Sequence, residues 1–285
     1  KISLKSLDNL SKKLPEKKTK QFLAFSDSRQ QASFAAVFFD SNHVRMLRKR
    51  LIWEIIVKNQ FKDMTVDELA SYLMEEIKTK DLFQNDMNSH KNAWAAIMVD
   101  LLKVDGSYDG EALGLYYFDL DIQPVLDLFN YEEIEDLFSE LGCNMNKDEL
   151  NTLMQIVLSV FKITPAISYA KSTLTPEEKE NFLGYRQFNN YVIEKGSQGK
   201  RGTRSFLPIN KNDNGQVRFV KKVFDCSSGN AIKILQYIFT ILVQGNEHCK
   251  SDPLLVKHDK EDSYQINVSR YIVKNYKTSK FYRCN

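Results

Sequence analysis

Only four cysteines occur in the 285 residues, Cys143, Cys226, Cys249 and Cys284, and no two of them form a C-x-x-C pair. That spacing argues against an ordinary zinc finger or a disulfide-stapled scaffold and suits the reduced thiols of a cytoplasmic protein. No apolar run approaches the roughly 18 residues that a membrane span requires, and no signal-peptide pattern opens the chain. A dominant charge of one sign is missing too. With 40 basic against 37 acidic residues the balance is +3, so any nucleic-acid surface has to be local. The phosphate-cradling pattern G-x-x-x-x-G-K-[ST] is absent, because the nearest stretch, GSQGKRGT at 196–203, has the wrong spacing. What remains, 42% hydrophobic and 27% charged residues, is the composition of a globular chain with a sizeable core.

The most informative stretch is 20–40, KQFLAFSDSRQQASFAAVFFD. A short apolar run to Phe25 is followed by the helix-capping residues Ser26-Asp27-Ser28, and then Ala32, Ala35, Ala36 and Phe39 recur at helical spacing. This predicts strand, tight turn and helix. The unpaired N–H groups of a helix's first turn, together with its dipole, favour an anion such as phosphate at that point. Ser28 and Arg29 add a hydroxyl and a guanidinium there. Strand-turn-helix is also the commonest unit of α/β proteins, so by itself it specifies no function.

The residues FLAFSDSRQQASF at 22–34 resemble motif IV of the superfamily 2 DEAD/DEAH-box helicases, where it opens the second RecA-like domain. FSDSRQ followed by an alanine-rich helix looks most like the branch with a large insertion, a cysteine-rich module and a C-terminal domain of unknown function. Members of that branch serve DNA repair or anti-phage defence. Shorter echoes follow in the family's order, at Arg48-Lys49-Arg50-Leu51, at Glu111-Ala112-Leu113-Gly114-Leu115, and at Ser263-Tyr264-Gln265-Ile266-Asn267 before Tyr282-Arg283-Cys284. The resemblance implies that Ser26, Ser28, Arg29 and Gln30 lie against a nucleic-acid backbone or a lobe interface. It further implies DNA, single- or double-stranded, and the other helicase lobes of the same chain as partners, with ATP and Mg as cofactors of the parent protein. Cys284 would be the first ligand of a zinc site completed beyond residue 285.

Two other signatures of that family are missing. Asp67-Glu68 is followed by Leu-Ala and Asp148-Glu149 by Leu-Asn, so there is no DEAH box, and no Q-x-x-G-R-x-x-R occurs. Lacking an initial methionine and stopping at Cys284-Asn285 inside a strand-like pattern, the chain reads as an internal fragment with no catalytic residue of its own. The rival reading is a non-enzymatic helical adaptor. A small-molecule enzyme is a third, but neither the four histidines nor the acidic clusters supply a site for it.

Along the rest of the chain helical patterns dominate. Residues 1–20 suggest a helix through Leu4, Leu7, Leu10 and Leu14. The helix from Arg29 is expected to run to about Phe61, with a break near Ser41-Asn42 and a buried stripe at Leu47, Leu51, Ile52, Ile55 and Ile56. Arg45, Arg48, Lys49 and Arg50 are expected on its solvated side. Thr65-Val66-Asp67-Glu68 is a capping box for a helix through Ile77. Asn88 to Lys103 carries Trp94, Ile97, Met98, Leu101 and Leu102 on one side, and Trp53 and Trp94 read as core anchors. Leu113 to Leu120 reads as extended, and Pro124 to Phe138 and Lys147 to Phe161 read as two helices. Glu132, Glu135 and Asp136 fall opposite Ile134, Leu137 and Phe138, as a solvent-facing side should, which argues against a catalytic acid cluster.

A further helix starts at Thr175-Pro176. Asn190 to Ile193 reads as a strand, and 194–204, EKGSQGKRGTR, as a glycine-rich loop whose Lys200, Arg201 and Arg204 suit a phosphate backbone. Asp213 with Gln216 predicts a capped helix to Phe224, and Ser227 or Ser228 caps another from Asn230 to Val243. Extended segments follow at 254–257, 264–266, 270–276 and 280–284. Helices followed by a small β-ribbon suggest a winged-helix-like module. The expected fold class is therefore mostly α with minor β (α+β). It would comprise a motif IV segment at 1–60, a helical insertion at 61–185, and a basic loop with a winged-helix-like end at 186–285.

Overall fold

Apolar residues at 51, 52, 55 and 56 repeat at helical spacing, and Leu51, Ile52, Ile55 and Ile56 are all buried. They lie on α1 (Arg29–Lys58), a helix of 30 residues without the break expected near Ser41-Asn42. The computed structural model describes residues 29–83, 89–102, 109–168, 191–196, 203–209, 212–248, 253–258 and 262–276, with side chains from residue 43 onward except 246–248. The expectations for 1–20, for the 21–25 strand, for the Thr175 helix and for the strand at 280–284 lie outside the described residues. Two compact units divide at Leu47, Lys1–Leu47 and Arg48–Asn285. The described chain is α+β and predominantly helical.

In the second unit, β1 (Met64–Thr65) leads into α2 (Val66–Thr79) through the predicted capping box. Thr65 Oγ1 accepts from Glu68 N at 3.2 Å, and Glu68 Oε2 accepts from Thr65 N at 2.8 Å. Thr65→Ala is expected to lower stability by about 1 kcal/mol; a denaturant midpoint equal to that of the wild type would remove the cap's role. Salt bridges from Lys58 and Lys80 to Glu76, and from Lys80 to Glu54, tie the end of α1 to that of α2.

Next comes α3 (Ser89–Leu101), buried on all sides from Ala95 to Leu101 rather than on one. Trp94 and Trp53 are only half-buried, so they are not the core anchors expected. After β2 (Tyr116–Leu120), the single helix expected from Pro124 is broken into α4 (Gln123–Leu126) and α5 (Tyr131–Glu140). The break falls where the Asn130 side chain accepts from Glu132 N and starts a new helix. Glu132, Glu133, Glu135, Asp136 and Glu140 are exposed, as their register required. Then follow α6 (Lys147–Ile163), β3 (Ile167–Ser168), β4 (Tyr191–Ile193) and β5 (Thr203–Ser205).

Beyond these lie α7 (Gly215–Phe224), α8 (Ser228–His248), β6 (Leu255–Lys257), β7 (Ser263–Asn267), a 3-10 turn and β8 (Tyr271–Asn275). Asn214, not Asp213, caps α7 by accepting from Val217 N at 2.9 Å. Gly245 lets α8 lie against α4: a Cβ there would come within 2.6 Å of Val125 Cγ1.

The described strands form two sheets. One is antiparallel in the order β1-β8-β2, and the other is mixed, β3-β7-β4-β5 with β6 also on β7. On β8 the buried residues are Tyr271, Val273 and Asn275, which face Leu120, Phe118 and Tyr116 of β2 in register. Alternation with period two thus places both buried triplets on one face. Asn275, at the end of that row, donates to Phe61 O at 2.8 Å. β6 and β7 pair antiparallel as a small ribbon after α8, whereas β8 leaves it and enters the other sheet.

Candidate nucleic-acid interface

In the first unit, Arg29 and Gln30 are the first two residues of α1, so the helix starts directly after Ser26-Asp27-Ser28. Ser26 and Ser28 themselves lie outside the described residues, as do Lys200, Arg201 and Cys284. Arg204 is exposed, but on β5 rather than in the expected loop, in parallel register with Val192 of β4. The loop's last residues add a strand because Ile193 O accepts from Phe206 N at 2.8 Å and holds them to β4.

In the second unit α7 and α8 make a sharp corner. They meet at 111° across Asp225-Cys226-Ser227, and Asp225 ends α7 in the left-handed conformation, φ 49° and ψ 39°. Ser227 Oγ accepts from Asn230 N at 3.1 Å to start α8. Asp213 locks the two helix starts together, since its Oδ2 accepts from Ser228 Oγ at 3.0 Å and pairs with Lys221 at 2.7 Å. Those hydrogen bonds, Lys221's first, hold the Asp213 carboxyl below the usual carboxylate range.

Polar side chains also fasten the corner to the rest of the unit. Gln216 Nε2 donates to Val157 O at 3.0 Å and Asn230 Nδ2 to Leu141 O at 3.1 Å. Val217, Val220, Ala231, Ile234, Leu235 and Ile238 bury the inner faces. Outside, Arg218 and Lys222 lie one turn apart on α7, and Gly229, Lys233 and Gln236 lie at i, i+4 and i+7 on α8, all exposed. Two helices at roughly 90–120° joined by a short turn form a helix-turn-helix, whose second helix presents its first turns to a groove. These exposed side chains are three cations, of the kind that pairs with phosphates, and an amide, of the kind that pairs with a base edge. Ile232 and Gln236 also border an open cavity of about 810 Å³, with Glu194, Lys195, Leu207 and Pro208 on its other wall.

Sequence reading missed a buried ionic cluster. Lys49, expected on the solvated side of α1, is 6% exposed and lies 4.0 Å from the Asp100 carboxylate. It falls three residues before Ile52, on the apolar stripe, which was the available signal. Asp100 Oδ2 accepts from Gly110 N at 3.1 Å, and Asp109, also buried, accepts from Ala112 N at 2.7 Å. Burial raises the Asp100 pKa to about 6, against smaller opposing effects of the Tyr116 phenol, Gly110 N and Lys49. Asp100 Oδ1 and Tyr116 Oη are close neighbours but complete no hydrogen bond of good geometry. Burial, and then the Asp100 charge, push the Tyr116 phenol well above its ordinary value. None of these residues lines the cavity at α8, so the cluster joins α1, α3 and β2 as part of the core.

Among the described residues no group of three or more His, Cys, Asp or Glu is placed to hold a metal ion, and no single helix is long and apolar enough to cross a membrane. Compared with protein-family models, with curated proteins and with solved structures, the chain finds no match.

Proposed function

We propose that this chain belongs to an ATP-dependent DNA helicase or translocase, to which it contributes the motif IV turn and a duplex-docking module. The observation that carries this reading is the start of α1 at Arg29. It sets the amino end of a long helix directly after the serines that resemble motif IV, so the anion-favouring end of the helix and the family's motif coincide. The α7–α8 corner adds a second, independent surface through Arg218, Lys222 and Lys233. ATP and Mg would be held by lobes that carry the phosphate-cradling lysine and the acidic box, and zinc by Cys284 with further cysteines. Ser26, Ser28, Arg29 and Gln30, with Lys200, Arg201 and Arg204, complete the proposed phosphate contacts.

Two measurements test it. The chain by itself is expected to release no phosphate from ATP, with or without DNA, because it lacks both nucleotide-binding motifs; turnover that survives repurification would reject the reading. A labelled duplex should bind with a steep salt dependence, and the combined change of Arg218, Lys222 and Lys233 to Ala should lower the slope of log K against log salt by about 3. An unchanged affinity and slope would take the corner out of the interface. The same titration with Lys200, Arg201 and Arg204 changed to Ala separates the second basic segment from the corner.

A further inference from the structure

Two of the widely spaced cysteines come together in the fold, each in a turn that the backbone holds still. Cys143 follows Gly142, whose φ of 81° ends α5 in a left-handed cap. Cys143 N donates to Phe138 O at 2.8 Å and Gly142 N to Ser139 O at 2.9 Å, the paired bonds of a Schellman motif. Cys226 follows Asp225, the left-handed residue between α7 and α8. The bond from Asn230 Nδ2 to Leu141 O joins the first turn of α8, just after Cys226, to the turn that ends α5. Cys143 is fully buried, Cys226 is partly exposed, and both thiols are free. Across that bond Cys226 is a neighbour of the Cys143 thiol.

We propose that Cys143 and Cys226 form an oxidisable dithiol that a peroxide converts to a disulfide, closing a latch between the α5 turn and the α7–α8 corner. This does not rest on the nucleic-acid reading. Cys226, the accessible sulfur, reacts first: its thiolate attacks one peroxide oxygen, the O–O bond breaks, and hydroxide leaves and takes up the thiol's proton as water. Cys226 is then a sulfenic acid, oxidised by two electrons. The Cys143 sulfur attacks it as its own proton leaves, the S–O bond breaks, and a second water departs. In total two thiols and one hydrogen peroxide give one disulfide and two waters. Burial, and then the neighbouring Cys226, raise the Cys143 thiol to about 12. Cys143 therefore stays protonated as the resolving partner and is spared direct attack by oxidant.

The test treats the whole chain with hydrogen peroxide at low protein concentration and maps its peptides by mass spectrometry. A Cys143–Cys226 cross-linked peptide, lighter than the two reduced peptides by two hydrogen atoms, is expected. The unfolding midpoint should rise by about 10 °C, because the cross-link closes a long loop in the unfolded chain, and fall back on addition of dithiothreitol. Cys226→Ser should abolish the cross-link and leave Cys143 a reduced thiol under the same treatment. Over-oxidation of Cys226 to sulfinic acid without a cross-link, or pairing of Cys226 with Cys249 or Cys284 instead, would overturn the proposal. Since the decisive reading is made on the wild-type chain, a poorly folded variant does not affect it.

Discussion

Gly110→Ala is expected to destabilise the second unit by about 3 kcal/mol, at the upper end of ordinary overpacking, and to lower its unfolding midpoint by about 10 °C. A Cβ on Gly110 would lie 2.3 Å from Tyr116 Cζ and 2.4 Å from Cε2. The ring has nowhere to go. Tyr116 is fully buried, sits edge-on to Phe118 at 6.1 Å, and is fixed by its strand register opposite Asn275. The glycine is pinned as well, since its N–H donates to Asp100 and its carbonyl accepts from Leu115 N at 2.9 Å. Space rather than backbone conformation makes this position a glycine. Gly215→Ala is the control: nothing lies within 4 Å of its Cβ and it opens α7, so the change should be neutral or slightly stabilising. Equal midpoints for wild type and Gly110→Ala would show that the Tyr116 ring moves aside freely.

Local chemistry was the part of the fold legible in the sequence. The Thr65 capping box, the register of the acidic face on α5 and the apolar stripe of α8 all depend on residues within one or two turns of each other, and each stands as expected. Pairings between distant strands were not legible. β8 lies between β1 and β2, more than a hundred residues earlier in the chain, and nothing in a period-two pattern says which strand is the neighbour. The capping of α7 was misassigned by one residue because Asp213 and Asn214 are both good caps. Only the folded chain shows Asp213 occupied by Lys221 and Ser228.

The candidate sites divide in the same way. The proposed phosphate-binding turn is written in consecutive residues, so 26–30 could be named from sequence, whereas the proposed docking corner depends on the angle between two helices. In sequence Arg218, Lys222 and Lys233 are ordinary solvated cations, and only the fold sets them beside that angle. Cys143 and Cys226 gave no signal because neither carries a neighbouring cysteine; only the fold makes them neighbours. Lys49 and Asp100 are intermediate. Asp100 interrupts an apolar run, and Lys49, though flanked by arginines, falls on the apolar stripe three residues before Ile52; position is more telling there than the overall charge of the helix.

Asp100→Asn should change how stability depends on pH, with a sign that follows from burial. In the folded chain the Asp100 pKa is raised from 3.8 to about 6, so between those values the folded state holds a proton that the unfolded state has released. Stability from this group is therefore fully present below the unfolded pKa and is lost as pH rises to the folded one. About two units correspond to about 3 kcal/mol. Carboxylates such as Glu54, Glu76 and Asp213 are held below their ordinary values by Lys80, Lys58 and Lys221 respectively and act in the opposite direction, losing stability as pH falls. Subtracting the variant's curve from the wild type's removes their contribution, and it reduces the altered contact with Lys49 to a constant offset. Unfolding free energies measured by denaturant between about pH 4 and pH 7 should give a wild-type-minus-variant difference that falls by about 3 kcal/mol as pH rises. A flat difference would mean that water reaches the carboxyl. A rising one would mean that Lys49 and the Gly110 amide outweigh burial and hold Asp100 ionised, making the cluster a true buried ion pair rather than a carboxylic acid next to a lysine.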